Sequence, residues 1–192
     1  MPTDKNFSGG ASSTGATVRD VAATYDPTTI RLHWISAGLV IALWCLGQTI
    51  DWFGQGMPRI AARGTHIMLG VVLGLTLCYR LWWRTSAGRR LPPAGSGLAQ
   101  RLSTFVHYLL YVALVVVVVL GLANTRVRGD NIFNLFSIPA FDPGNKALRQ
   151  QIGELHNLAA NVLLIVAGLH AAAALIHHFF LKDAVLRRML SR

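Results

Sequence analysis

The chain has 192 residues, 53% of them hydrophobic, with 18 Lys and Arg against 8 Asp and Glu for a formal net charge of +10, and its mean hydropathy is +0.44. This is high for a soluble fold, and the length suits one domain or a compact membrane bundle. The cations flank apolar blocks as a membrane protein would place them, which excludes nucleic acid as a partner, and Cys45 and Cys78, each inside an apolar block, offer neither a disulfide framework nor a thiol or zinc motif.

Residues 1–25 mix Ser, Gly, Thr and Ala with scattered charges and no periodicity, which predicts a disordered tail. They do not read as a signal peptide, because no apolar region precedes Ile35. Asp26-Pro27-Thr28 is a helix start, with proline tolerated in the first turn. A first helix is predicted over about 27–53, broken by Gly54-Gln55-Gly56-Met57-Pro58, and a second over about 59–83. After a Gly/Pro-rich link, a third is predicted over about 98–124, then a long loop, then a fourth over about 146–181. With histidine counted neutral, the blocks Ile35–Ile50, Ile67–Tyr79, Leu102–Thr125 and Leu155–Leu181 carry no charge. With its flanks each reaches the roughly 20 residues that cross about 30 Å of hydrocarbon.

The fold class read from this is all-α: an integral membrane, up-down four-helix bundle formed by residues 26–192 as one domain. Four spans place both termini on one side. That side holds 12 of the 18 Lys and Arg and the other holds 6, so the positive-inside rule puts both termini in the cytoplasm.

Seven histidines stand at 33, 66, 107, 156, 170, 177 and 178, all on predicted membrane helices, where ionisable residues are functional candidates by default. His156 and His170 are separated by 14 residues, about 21 Å along one helix and within about 40° of one face. His177 continues that face, and His178 is turned about 100° from it. By depth, His33 shares a half of the bundle with His170, and His66 shares the other half with His156. Paired imidazoles from facing helices at two levels are what two stacked b-type haems need. Zinc would want a tighter group of three or four ligands. Gly38, Gly70, Gly74 and Gly168, with Ala159 and Ala160, would leave room for a flat ring, although glycine also serves close helix packing. His107 by depth could replace either member of the cytoplasmic pair or serve a substrate.

Several stretches also carry a family likeness: Gly168-Leu169-His170 through His177-His178 to Lys182-Asp183, Arg31-Leu32-His33-Trp34, Glu154-Leu155-His156-Asn157, Thr65-His66 with Arg80 fourteen residues on, and His107 followed by Gly121. The chain resembles the bacterial diheme cytochrome b561 family over about Arg31 to Met189. The resemblance implies that His33 and His170 ligate a cytoplasmic haem b and His66 and His156 an extracytoplasmic one. It implies a ubiquinone site near the cytoplasmic haem with His107, His177 and Trp34 as neighbours. It implies an oxidoreductase of the bacterial inner membrane that oxidises superoxide to dioxygen on the periplasmic side and delivers the electrons to ubiquinone. The chain departs from the family in a longer N-terminal tail and in a link between helices two and three with fewer prolines and lysines.

Six cations face four acids on the predicted extracytoplasmic side, and a positive funnel speeds the encounter with a small anion. Arg63, Lys146 and Arg149 are the best placed there, and Arg126 and Arg128 suit phospholipid headgroups equally well. His107 and His177 are candidates for proton delivery to a quinone. Arg80 and Arg84 could pair with haem propionates or be ordinary positive-inside residues. The alternative class is a cytochrome b relay or anchor subunit for a partner dehydrogenase. A haem-free transporter is disfavoured because the sequence shows no matching broken helices in two halves.

Overall fold

The computed structural model describes residues 24–93 and 96–190; the tail expected over residues 1–25 lies almost wholly outside them. Four long helices dominate: α1 (Pro27–Thr49), α2 (Met57–Ser86), α3 (Gly97–Arg128) and α4 (Lys146–Phe179). All four are long and apolar enough to cross a membrane. Contacts run α1 to α2, α2 to α3, α3 to α4 and α4 to α1, the arrangement of an up-down bundle whose sequence neighbours are also spatial neighbours.

Large apolar side chains such as Leu75, Ile165 and Leu169 are more than 60% exposed, and in α4 only Leu163 is buried. A water-soluble bundle would hide these groups, whereas lipid solvates them as well as a core does. The buried core is a plug of six residues drawn from all four helices: Leu43, Leu73, Leu77, Leu114, Val117 and Leu163. On the loop side of this plug α1 and α4 are joined by Trp44 Nε1–H donating to Asn161 Oδ1 at 2.9 Å, a bond that fixes their register.

Asp26 caps α1 as its sequence position predicts, accepting from the Thr29 amide at 2.9 Å and from its hydroxyl at 2.7 Å. The helices begin or end a little differently from the sequence expectation. α1 passes at Ile50 into a single 3₁₀ turn ending at Trp52. α2 starts two residues earlier, at Met57, with Gly56 before it at φ +91°. α3 continues one turn further, to Arg128, because Thr125 and Val127 on that turn are buried. It stops at Gly129, whose φ is +70° and where a Cβ would meet Ala140 Cβ at 2.8 Å, so only glycine fits.

The loop after α3 carries a two-stranded hairpin that the sequence reading left irregular, β1 (Asn131–Ile132) paired antiparallel with β2 (Phe136–Ser137). Its turn places Phe133 and Asn134 at positive φ. The Phe133 ring seats on Gly64 of α2, where a Cβ would come 3.1 Å from it. The hairpin is thereby clamped onto the bundle.

Both chain ends described lie together. The Tyr25 amide donates to the Arg188 carbonyl at 3.1 Å, and Trp34 Nε1–H donates to the Met189 carbonyl at 2.8 Å. A 3₁₀ turn, Leu186–Met189, is therefore strapped across the start of α1. This is the terminal end of the bundle; the hairpin and the α1–α2 connection mark the loop end.

Candidate functional site: two histidine couples

Antiparallel helices bring residues near the start of one to residues near the end of the next. At the loop end His66 of α2 meets His156 of α4, with ring centres 6.2 Å apart and planes at 87°. At the terminal end His33 of α1 meets His170 of α4, with ring centres 6.4 Å apart and planes at 69°. The apolar plug lies between, and Leu163 stands seven residues from each α4 histidine.

Two imidazoles that bind one ion from opposite sides, at about 2.0–2.1 Å each with about 1.1 Å more to each ring centre, have centres about 6.2–6.4 Å apart. Both couples meet that value. His107 does not: its ring centre is 5.0 Å from that of His170, too close to share an ion end-on. Its depth alone left it open as a ligand, and the separation fits His33 better than His107 as the partner of His170. His107 Nδ1 donates to the Ser103 carbonyl of its own helix at 2.6 Å, which leaves Nε2 free.

At the loop end the donor chemistry fits metal ligation. His156 Nδ1 lies 3.1 Å from the Val117 carbonyl; a carbonyl only accepts, so the proton is on Nδ1 and the Nε2 lone pair is free for a metal. His66 Nδ1 is buried without a partner in normal hydrogen-bond geometry, and the backbone group it comes against is the Leu43 carbonyl. In both cases the carbonyl belongs to the residue four before a glycine, Gly47 or Gly121. A Cβ on Gly47 would come 3.2 Å from His66 Cε1, and one on Gly121 would come 3.1 Å from His156 Cε1. These two glycines let each ring press against a neighbouring helix.

Of the glycines expected to leave space for a flat ring, Gly38, Gly70 and Gly168 face open space, with nothing within 4 Å of a built Cβ. Gly74 has a different role, since a Cβ there would meet Val118 Cγ1 of α3 at 3.2 Å, and it serves helix packing. Among the described residues no group of three or more His, Cys, Asp or Glu could hold a metal ion. Two imidazole couples with open slots beside them suit a ligand set completed by a macrocycle.

At the terminal end the couple is crowded. Arg80 Nη2 lies 3.2 Å from His33 Nδ1, and its guanidinium carbon sits 5.2 Å from the centre of the Tyr111 ring. The Trp34 ring meets His33 edge-on at 5.4 Å between centres. His177 is engaged elsewhere, with Nδ1 2.5 Å from Asp183 Oδ2 just beyond the end of α4. Although burial raises the Asp183 carboxyl, hydrogen bonds from His177 and the Val185 amide hold it below the usual carboxylate range.

Beyond the loop-end couple a cleft of about 420 Å³ opens among Arg59, Arg63, Arg128, Asp130 and Arg149. Asp130 is buried, lying 3.4 Å from Arg63 and 3.7 Å from Arg128. Burial raises its carboxyl above the usual range, against the opposing pull of both guanidiniums. Arg59 is held by the Asp51 and Phe53 carbonyls and Arg149 by the Pro143 carbonyl at 3.0 Å. Arg59 also lies 3.9 Å from the Asp51 carboxylate, whereas the Pro143 carbonyl leaves the Arg149 charge uncancelled, so four guanidiniums face two carboxylates and the cleft is net positive. Two of the three sequence candidates, Arg63 and Arg149, line it. Lys146 does not, being the first residue of α4. Arg126 bonds the Pro139 carbonyl, whereas Arg128 is a member of the cleft that charge counting alone could not separate from a headgroup ligand.

A sequence profile of the prokaryotic cytochrome b561 family matches residues 24–192. Similar proteins include cytochrome b561 homolog 1 of Escherichia coli strain K12, 28% identical over 172 residues, covering 88% of this chain and 97% of the relative. A probable superoxide oxidase CybB of Yersinia pestis is 29% identical over 175 residues, with 88% and 96% covered. Cytochrome b562 of Cereibacter sphaeroides is 28% identical over 171 residues, with 86% and 94% covered. Four apolar helices carrying two facing imidazole couples, matched along nearly their whole length by that profile, place this chain in the prokaryotic cytochrome b561 family of membrane electron-transfer proteins.

Proposed function

We propose that this chain holds two haem b groups, one between His66 and His156 and one between His33 and His170, and that it oxidises superoxide to dioxygen at the loop end while ubiquinone is reduced at the terminal end. The observation that carries this reading is the pair of imidazole couples, 6.2 and 6.4 Å between ring centres, at opposite ends of one apolar bundle. Haem b, when bound, supplies an iron that exchanges single electrons. The excess of Lys and Arg on the side of the termini, 12 against 6, supports a bacterial inner-membrane protein with its terminal end in the cytoplasm and its loop end in the periplasm.

The remaining work falls to the chain's own side chains. Arg63 and Arg149 line the positive cleft beside the loop-end couple, with Lys146 adding charge from the start of α4, and their field draws in a small anion. Two superoxide ions yield two dioxygen molecules and two electrons; a quinone takes two electrons and two protons to become quinol. The free Nε2 of His107, and the His177–Asp183 pair at the cytoplasmic end of α4, are placed to hold or pass those protons. Trp34 and Arg80 complete the wall beside His33. The likeness to a relative named as a probable superoxide oxidase supports the choice of donor, and the family resemblance supports the quinone.

A reduced-minus-oxidised spectrum with haem counted per chain, followed by superoxide-driven ubiquinone reduction with the purified protein alone, tests the reading. Two haems per chain and partner-free turnover are expected. Colourless protein overturns it, and a haem-bearing chain that is inert alone but copurifies with a dehydrogenase replaces it with the relay reading.

A further inference from the structure

The two couples are built from the same residue type on the same kind of helix, yet what faces the second ring nitrogen differs in sign. At the loop end both rings turn Nδ1 toward helix carbonyls, Val117 for His156 at 3.1 Å and Leu43 for His66, uncovered beside Gly121 and Gly47. A carbonyl that draws on the Nδ1 proton makes the ring a stronger electron donor through its other nitrogen. At the terminal end His33 Nδ1 faces a guanidinium at 3.2 Å. That group accepts nothing and carries a full positive charge.

The charge balance around each couple sharpens the contrast. At the loop end Arg63, the cation nearest the couple by sequence, is offset by the Asp130 carboxylate at 3.4 Å, Arg128 shares that carboxylate at 3.7 Å and Arg59 pairs with Asp51 at 3.9 Å, so of the cleft's arginines only Arg149 forms no ion pair among the described residues. Arg80 forms no ion pair among the described residues and lies over the Tyr111 face, an attraction that fixes a cation without cancelling its charge. Tyr111 is itself packed against the apolar plug.

We propose that Arg80, positioned by Tyr111, raises the electron affinity of the group held by His33 and His170, while the Leu43 and Val117 carbonyls lower that of the group held by His66 and His156, so that electrons run toward the terminal end. The inference rests on the two-haem reading above. It makes Arg80 and Tyr111 positioning residues that act through charge, and it makes Gly47 and Gly121 the residues that set the loop-end polarity. Whether the guanidinium stays on the ring or moves to a carboxylate of the bound group, its charge stays at this end and acts in the same direction.

An equilibrium redox titration of the purified holoprotein, followed in the haem absorption bands, reads the effect directly. Two midpoints are expected, and the one that survives in His66→Ala protein identifies the terminal-end couple as the higher. Arg80→Gln should lower that midpoint by about tenfold in electron affinity, about 59 mV for a one-electron couple, and leave the lower midpoint where it was. Arg80→Lys should keep the wild-type value, because the charge and not the fork geometry matters. Tyr111→Leu should give a smaller fall of the same midpoint. If Arg80→Gln moves neither midpoint, or moves the lower one, or if Arg80→Lys shifts as far as Arg80→Gln, the inference is wrong. Fewer than two haems per chain in the unsubstituted protein would instead defeat the two-haem reading itself.

Discussion

The loop end and the terminal end of this bundle solve one problem, holding a facing pair of imidazoles in an apolar bundle, by different means. At the loop end each ring is pressed into a neighbouring helix through a glycine and bonded or directed to a backbone carbonyl, so its orientation is set by main chain. At the terminal end side chains set it: a guanidinium, a tryptophan edge and a third histidine surround the couple. A backbone-built site has little freedom and faces an open cleft of fixed charge. A side-chain-built site has groups to spare for protons and a second substrate. The division suits the proposed reaction, in which a small anion is taken at one face and protons are handled at the other.

The largest expected effects test whether the couples are separate. His66→Ala and His170→Ala should each lose one of two haems, halving haem absorbance per chain, whereas His107→Ala should keep both and slow quinone reduction. If His107→Ala loses a haem, the 5.0 Å contact with His170 is a ligation partner and the comparison falls. Next comes the main-chain device. Gly121→Ala places a Cβ 3.1 Å from the His156 ring, and the ring, tied to Val117, can give way only by lengthening that bond. Haem loss on dilution should quicken at the loop-end couple alone, and Gly153→Ala on the helix of His156, whose Cβ would make only an ordinary 3.7 Å contact with Asn124, serves as the control.

The charged cleft should show smaller, salt-dependent effects. Arg63→Gln with Arg149→Gln should slow the superoxide-dependent rate by about 10-fold at low ionic strength, and the difference should shrink at about 1 M salt, where the screening length is about 3 Å. A deficit unchanged by salt would mean that these arginines support structure and not steering.

Much of this was legible in the sequence because a membrane imposes length and period on a chain. Charge-free blocks gave four helices, and a 14-residue spacing on α4 set two depths for the histidines without any coordinates. Depth left His107 open beside His33, because depth is one coordinate; the family resemblance implies His33, and the ring distances fit that pairing. Gly47 went unnoticed, and Gly121 enters only as part of the family likeness, since glycine in a membrane helix usually means packing, as it does at Gly74. The cleft was hidden because its members come from α2, α3, α4 and the hairpin, and Asp130 reads as a loop acid until Gly129 turns it inward between Arg63 and Arg128. One missed signal was available: Asn134 stands as a lone turn former among Ile132, Phe133, Leu135 and Phe136, although Phe133 at positive φ is a conformation that sequence rules assign to glycine or asparagine.

The terminal end also depends on one half-buried carboxylate. Asp26 caps α1 through Thr29, accepts from Trp83 Nε1–H of α2 at 3.0 Å and accepts from the Arg89 amide of the link at 3.1 Å, so it ties three segments beside His33. Burial pushes its carboxyl up, but those hydrogen bonds outweigh it and hold the group at about 2, below its ordinary 3.8. A carboxyl that is more acidic folded than unfolded stabilises the fold fully above its ordinary value and loses that contribution as the pH falls toward the folded one. Asp26→Ala should therefore cost about 0.5–2 kcal/mol at neutral pH, as lost helix caps do, seen as a lower thermal midpoint in detergent. The gap to the unsubstituted protein should narrow between about pH 4 and pH 2. Asp26→Asn keeps an acceptor for the Thr29 amide without the charge, so its smaller deficit should close over the same interval, and the terminal-end haem should follow it while the loop-end haem does not. A gap as wide at pH 2.5 as at pH 7 would show that Asp26 acts by shape and not as an anion, and would remove the electrostatic part of what distinguishes this end.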